Sequence, residues 1–411
     1  LFGIKTALQF GRTTITSIFS QQKSQTTNIT VAGGAQTSTF ELKADQYEEN
    51  KHFFISQYFR NRYNQAMQNL PVINSPINIT KIEVWVTNIG PATTENRNIV
   101  AFMDLGENSP YNSAFSPSPG KQLPQNYSNN LPLVIDTSKI RNINTVSSYL
   151  NGPPLNLVSG VDFEKVENAR KLSSTEYTFN SKLGFISLNT TLNSDQVLAV
   201  AYQYTILGDT TIYQVGEFSN GGVNAPNCLM VKLLKSTALN TQIPLWKLMM
   251  KNVYAIGGYQ INPEDFRLNV LYTNDEHGVP VGYLTESSIK GIPFIRILGC
   301  DNLNTLLDPT PDGVFDFIDK AATEGGTIQA SNGRIFFPVL EPFGTDLYKK
   351  FAPEDSNIAK KYVFQELYDM PKNAAQQYPA KNKFLIQGTY KSSSSSEISL
   401  NAMNIPKVQL K

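Results

Sequence analysis

Apolar and polar residues alternate with a period of two at the start of the chain. Phe2, Ile4, Leu8 and Phe10 fall on one parity, and Gly3, Lys5, Ala7, Gln9 and Gly11 on the other. Such alternation marks a strand whose two faces meet different surroundings. A tight turn at Gly11, Arg12 and Thr13 leads into a Thr- and Ile-rich return run at 14–20, so the opening residues predict a short-turned hairpin. The far end repeats the pattern. Phe384, Ile386, Gly388 and Tyr390 share a face, serines at 392–396 make a turn, and Ile398, Leu400 and Ala402 start another alternating run. An edge hairpin of a soluble sheet alternates in the same way and is far commoner. Direction adds to the pattern: if both short turns lie on one side of a sheet, the middle segment emerges on the other, as the long external loops of transmembrane barrels do. The expected fold is mainly β, with strands at both ends (1–20 and 383–411) that are candidates for an outer-membrane β-barrel. They bracket a large β-rich insertion at 21–382 with a few amphipathic helices. Phe2, Ile4, Leu8, Phe10, Phe384, Ile386 and Tyr390 are then the lipid-facing candidates.

Inside the insertion, Phe54 with Tyr58, and Ile55 with Phe59, Tyr63 and Met67, recur at a spacing of four. They predict a helix from Tyr47 onward, capped by Asp45 and stopped by Pro71, whose aromatic stripe packs against a sheet. Strands follow at 79–88 and 98–105. Residues 107–160 are rich in Ser, Asn and Pro, which reads as a surface excursion and a candidate subdomain boundary. A hairpin series occupies 177–218, and 229–234 extends it. A short helix is expected at 246–253, a strand at 266–272 and a second helix at 356–369. Asn332-Gly333, flanked by β-forming runs, predicts a hairpin with positive φ at both central positions.

Composition narrows the class. Of the 411 residues 40% are hydrophobic and 11% aromatic, enough for a substantial core. Only 17% are charged, below the roughly 25% of ordinary soluble domains, and Asn, Ser, Thr and Gln fill the deficit, which suits a surface-exposed protein. The formal charge of +1 leaves no electrostatic footprint for nucleic acid. No run of eighteen apolar residues offers a membrane helix, so only a barrel would take the chain across a bilayer. Leu1 is not an initiator Met, and we expect the chain to begin inside a larger product. Cys228 and Cys300 are open to pairing or to burial as free thiols.

Candidate chemistry is sparse. The two histidines, His52 in the predicted helix and His277 in a turn, lack metal-spaced partners and read as surface residues. The His-Glu-x-x-His, Gly-x-Ser-x-Gly and phosphate-loop signatures are absent, which argues against an enzyme and leaves no catalytic, cofactor or metal residues to name. Glu264 and Asp265 follow Pro263 as helix-starting acids do, although paired carboxyls could serve glycoside hydrolysis. Asp301, Asn302, Asn304, Asp308, Asp312 and Asp316 concentrate calcium-type oxygen donors, but without EF-hand spacing, and a solvated turn is the simpler reading. Exposure of Trp85, Tyr202 and Trp246 on one concave face would instead suit an adhesin or glycan-binding β-sandwich mounted on a barrel.

Several strings carry a resemblance. Asp45-Gln46-Tyr47, Ile79-Thr-Lys-Ile-Glu-Val-Trp-Val-Thr-Asn88, Arg97-Asn-Ile-Val-Ala-Phe102, Tyr213-Gln-Val-Gly-Glu-Phe-Ser219, Pro311-Asp-Gly-Val-Phe-Asp-Phe317 and Phe337-Pro-Val-Leu-Glu-Pro-Phe-Gly344 are similar to the SprA/Sov family, as are shorter strings at 104–107, 169–172 and 249–254. The resemblance implies a slice of the outer-membrane translocon of the type IX secretion system. Such translocons are large transmembrane β-barrels that pass folded cargo to the cell surface and support gliding motility. It implies an insertion that caps the pore on the extracellular side. The partners it implies are secreted cargo, a PorV-like outer-membrane protein, a periplasmic plug protein and outer-membrane lipid.

Overall fold

The computed structural model describes residues 2–10 and 13–21 as backbone, and 37–91, 95–274, 278–319 and 325–392 with side chains. Two compact units divide the chain, Leu1–Gln36 and Thr37–Lys411. In the first, strands β1 (Phe2–Phe10) and β2 (Thr13–Gln21) pair antiparallel from Phe2↔Gln21 to Phe10↔Thr13. This is the hairpin that the alternation predicts. Among the described residues neither strand has a second neighbour.

The second unit opens with β3 (Ser38–Lys43), β4 (His52–Phe54) and helix α1 (Gln57–Ala66). Next come β5 (Ile77–Val86), β6 (Arg97–Phe102), β7 (Phe163–Lys171), β8 (Tyr177–Asn180) and β9 (Phe185–Leu188). Strands β10 (Leu198–Ile206), β11 (Tyr213–Val215) and β12 (Leu229–Lys235) follow. The later strands are β13 (Val253–Ala255), β14 (Arg267–Thr273), β15 (Pro280–Val281), β16 (Ile328–Gln329), β17 (Arg334–Phe336) and β18 (Phe384–Tyr390).

Five of these close into a small barrel in the order β5, β10, β12, β6, β7 and back to β5. The closing seam is short, Trp85↔Lys171 and Val86↔Arg170. β10 gives one whole edge to β5 and divides the other, pairing Leu198 to Val200 with β12 and Tyr202 to Tyr204 with β11. At the handover, Gly216 takes φ 79° and lies so close to Ala201 that a side chain there would crowd it. β12 and β6 run parallel, and the other barrel pairings are antiparallel. The barrel anchors one buried core, joined by α1, β4, β9 and the excursion at 107–160, whose Leu131, Ile140, Val146 and Leu150 are fully buried. That excursion therefore contributes side chains to the barrel core.

A second core gathers around the sheet β15-β14-β18-β3 and the C-terminal helices Ser356–Tyr362 and Glu366–Asp369. The single helix expected at 356–369 is broken because Phe364 turns its N–H to the Phe343 carbonyl at 2.7 Å. The helix expected at 246–253 is shorter too, a 3₁₀ segment Pro244–Leu248 ahead of β13. In the β16–β17 hairpin, Gly333 has φ 61° but Asn332 does not share the left-handed region, because four residues, not two, link Gln329 to Arg334.

The membrane assignment of the far end needs correcting. β18 is an inner strand between β14 and β3, and Phe384 and Ile386, expected to face lipid, are both fully buried. Phe384 packs edge-on to Tyr272 and Phe294 and against Phe343, with ring centroids at 5.0, 5.3 and 4.8 Å. Tyr390 is half-buried beside Phe40. The 384–390 run thus belongs to the Thr37–Lys411 unit rather than to a barrel end. Ile398, Leu400 and Ala402 lie outside the described residues, as do the side chains of Phe2, Ile4, Leu8 and Phe10. In the middle of β18, a Cβ on Gly388 would collide with the Arg267 carbonyl of β14 and the Phe40 ring. Gly388→Ala should therefore destabilise by about 2 kcal/mol and lower the melting temperature by several degrees. Gly208→Ala, with open space around it, should cost no more than about 1–2 kcal/mol from its positive φ. Equal melting curves for the two variants would contradict this packing.

Candidate functional site

The stripe read as one long helix is assembled from three pieces. Phe54 ends β4, Ile55 follows it, Tyr58, Phe59 and Tyr63 lie on α1, and Met67 is its C-cap. β4 pairs in register with β9 (His52↔Ser187 to Phe54↔Phe185), which satisfies the backbone that a helix from Tyr47 would have used. Asp45 does not cap α1; its carboxylate accepts from Gln376 Nε2 and Asn382 Nδ2 at 2.8 and 2.7 Å. The N–H of Gln57, at the helix start, is taken instead by Glu107 Oε1 at 3.0 Å. The rings do meet on one face, with Phe54 edge-on to Tyr63 at 5.5 Å and Phe59 edge-on to Tyr202 at 6.2 Å.

His52 is fully buried rather than exposed, and it joins groups far apart in the sequence. Its Nε2 lies 2.9 Å from Glu48 Oε2 and its Nδ1 2.8 Å from Ser187 Oγ. Arg334 Nε and Lys51 Nζ also donate to the Glu48 carboxylate, at 2.5 and 2.8 Å. Burial works to raise the Glu48 pKa, but the hydrogen bonds from His52, Arg334 and Lys51 outweigh it and hold the group well below the usual carboxylate range. Burial also lowers the His52 pKa and outweighs the pull of Glu48, so the imidazole stays neutral. A neutral ring must give its Nε2–H to the carboxylate, which leaves Nδ1 to accept the Ser187 hydroxyl proton. The connectivity is that of a serine nucleophile, base and acid. Its setting is not: Ser187 is buried in an inner strand and lines none of three cavities among the described residues. The chain of hydrogen bonds therefore fastens β4, β9 and β17 together.

The largest of those cavities, about 360 Å³, lies beside this cluster. Phe53, Leu234, Leu245, Trp246 and Met249 give it an apolar wall. Its polar lining is mostly engaged. Lys235 Nζ donates to the Ser194 and Gln196 carbonyls at 2.9 and 2.7 Å. The Ser236 and Thr237 hydroxyls both donate to Glu164 at 2.7 Å. This arrangement can receive an apolar group but offers no activated nucleophile among the described residues.

The other sequence candidates are dispersed. Asp265 pairs with Lys391 at 2.8 Å while Glu264 is exposed, so the two acids do not face one another across a cleft. Asp301 is fully buried, bonded to Arg296 and to the amides of Asp312 and Gly313, and Asp316 accepts from the amides of Asn302 and Leu303. These acids close a loop on itself. Among the described residues no group of three His, Cys, Asp or Glu side chains is disposed to hold a metal ion. Cys228 and Cys300 are both free and buried. Trp85 and Tyr202 are fully buried and Trp246 is 9% exposed, so they present no concave aromatic platform and the glycan-binding alternative loses its basis. His277 lies outside the described residues.

One buried group stands out electrostatically. Lys251 is 5% exposed, lies 4.3 Å over the Trp246 ring, and has no ion pair among the described residues. Burial, helped by the nearby Arg60 charge, pushes its pKa down to about 7. The unfolded lysine titrates near 10.4, so between these values the unfolded chain binds more protons and stability rises with pH. Lys251→Met should raise stability at pH 7 by on the order of 2 kcal/mol, and the gain should shrink as pH approaches 10. Parallel pH profiles of melting temperature for the two proteins would contradict the assignment.

Residues 1–193 match the SprA_N family, described as a motility related/secretion protein, and that span takes in the hairpin and the second unit as far as β9. No curated protein matches the chain. Over its first 193 residues, a little under half of the 411, the chain is similar to the family of motility related/secretion proteins that this match describes.

Proposed function

We propose that the chain is part of a protein-conducting outer-membrane channel, the type IX secretion translocon, which passes folded cargo to the cell surface. In this reading the β1–β2 hairpin lies in the barrel wall and the Thr37–Lys411 unit caps the pore on the extracellular side. The observation that carries it is the pairing of the unit's first and last described strands: β3 and β18 are antiparallel neighbours, with Ser38 opposite Tyr390. The two tethers of the folded unit therefore leave it side by side, as a domain inserted between adjacent barrel strands requires.

The hairpin supports the same reading. Nine residues per strand span about 30 Å, or about 23 Å when tilted as barrel strands are, close to the apolar band of an outer-membrane barrel. A lone two-stranded hairpin is marginal in water, so both open edges call for neighbours from elsewhere. A pore that admits folded proteins is too wide to be filled by its own side chains, and a tethered cover seals it. A PorV-like outer-membrane protein and a periplasmic plug protein belong to this proposal as partners.

Two measurements test it. Leu207 is 88% exposed while both native cysteines are buried, so Leu207→Cys gives a single reactive thiol. A membrane-impermeant maleimide should label it on intact cells, and labelling only after the outer membrane is opened would overturn the extracellular placement. Leu8→Arg should cost about 2–4 kcal/mol of barrel stability and reduce the heat-modifiable outer-membrane form on gels. Lys5→Arg should leave that form unchanged. Equal tolerance of both substitutions would remove the hairpin from the lipid boundary.

A further inference from the structure

A separate cleft of about 220 Å³ opens between α1, residues 74–77 and the turn from β8 to β9. Its walls are tied by the backbone and by one hydroxyl. The Asn74 N–H donates to the Ala66 carbonyl at 3.0 Å, and Ser75 Oγ donates to the Lys182 carbonyl at 2.8 Å. Gly184, at φ 65°, brings the turn so close to α1 that any Cβ there would strike the Phe59 ring. Two cations, Arg62 and Lys182, line the cleft, and no Asp or Glu does. Neither cation is paired with a carboxylate among the described residues. Arg62 lies 3.7 Å over the ring of Tyr58, one helical turn back, so its guanidinium is held in place before any ligand arrives. Gln65 and Asn74 add amide groups, and Ile77 and Leu183 an apolar floor.

We propose that this cleft binds an acidic residue of a peptide segment. A stacked guanidinium presents a planar fork suited to a carboxylate, Lys182 supplies a second positive charge, and the amides match the donors and acceptors of a peptide backbone. A sugar ring is the poorer fit, because the Tyr58 face that would stack on it is already covered by Arg62. The binding belongs to the folded unit and does not depend on where the protein resides.

The test is calorimetric titration of the full chain with acetyl-Ala-Phe-Glu-Phe-Ala-amide, its Gln analogue, and a glucuronate oligosaccharide. The Glu peptide should bind, and the Gln analogue should bind at least about tenfold more weakly. Arg62→Ala with Lys182→Ala should lose the same factor while keeping the wild-type melting temperature. Arg62→Lys, which keeps charge but loses the fork, should fall between. Equal affinity for the Glu and Gln peptides, full affinity in the double variant, or no binding at millimolar peptide would each overturn the proposal. Tighter, Arg62-dependent binding of the oligosaccharide would overturn it in favour of a saccharide site.

Discussion

The Thr37–Lys411 unit depends on one buried carboxylate. Glu107 Oε1 receives the Lys232 ammonium of β12 at 2.7 Å and the first amide of α1 at 3.0 Å, with Glu107 5% and Lys232 1% exposed. Lys232 also donates to the Met103 carbonyl, and Asn129 holds the Asp104 and Glu107 carbonyls from within the excursion. Charges this deeply buried are tolerated only when every partner is in place, and losing one partner of such a pair costs about 3–5 kcal/mol. The barrel wall, the aromatic helix and the long excursion after β6 are thus fixed by the same atoms. The docking of α1 is tied to the β12 lysine through a single oxygen, which both the Gln57 N–H and Lys232 Nζ reach.

The same logic separates the polar groups that fasten the fold from those left available. Glu48, His52, Ser187 and Arg334 are bonded to one another in a chain, and a network whose members satisfy each other in this way stiffens the fold rather than opening it. Lys251 is the exception inside, a buried amine whose main neighbour is an indole ring. Arg62 and Lys182 are the contrast outside, because the surrounding wall supplies no acid to neutralise them. A hydrogen-bond network reads as structural when it is complete, and an opening towards a ligand is marked by charge that the protein itself leaves unmatched.

Much of the strand content was legible in the sequence because its signals are local. The 1–20 hairpin, the β8–β9 turn and the β-rich runs that became β5, β10 and β12 follow from alternation and turn residues within one or two strands. What escaped is set by distance along the chain. Phe54 and Tyr58 keep a helical spacing of four, yet Phe54 is in a strand because Phe185, far downstream, pairs with it. β18 alternates as a membrane strand would, but the partners that bury Phe384 and Ile386 come from 38–43 and 267–273, which a local pattern cannot name. The site was hidden for the same reason: Ser187 and Arg334 reach His52 and Glu48 from 135 and 286 residues away. Only the four-residue spacing of Glu48 and His52 was visible, and nothing distinguished it from an ordinary surface pair.

The pairing of β3 with β18 also has a mechanical side. Because the strands are antiparallel and both tethers leave at the Ser38↔Tyr390 end, tension applied through the tethers would open this pair one rung at a time from that end. Loading of this kind peels hydrogen bonds in sequence instead of shearing them together, so the β3–β18 pair would yield at low force. A domain built this way can hold firm against thermal unfolding and still give way first at its attachment point when pulled.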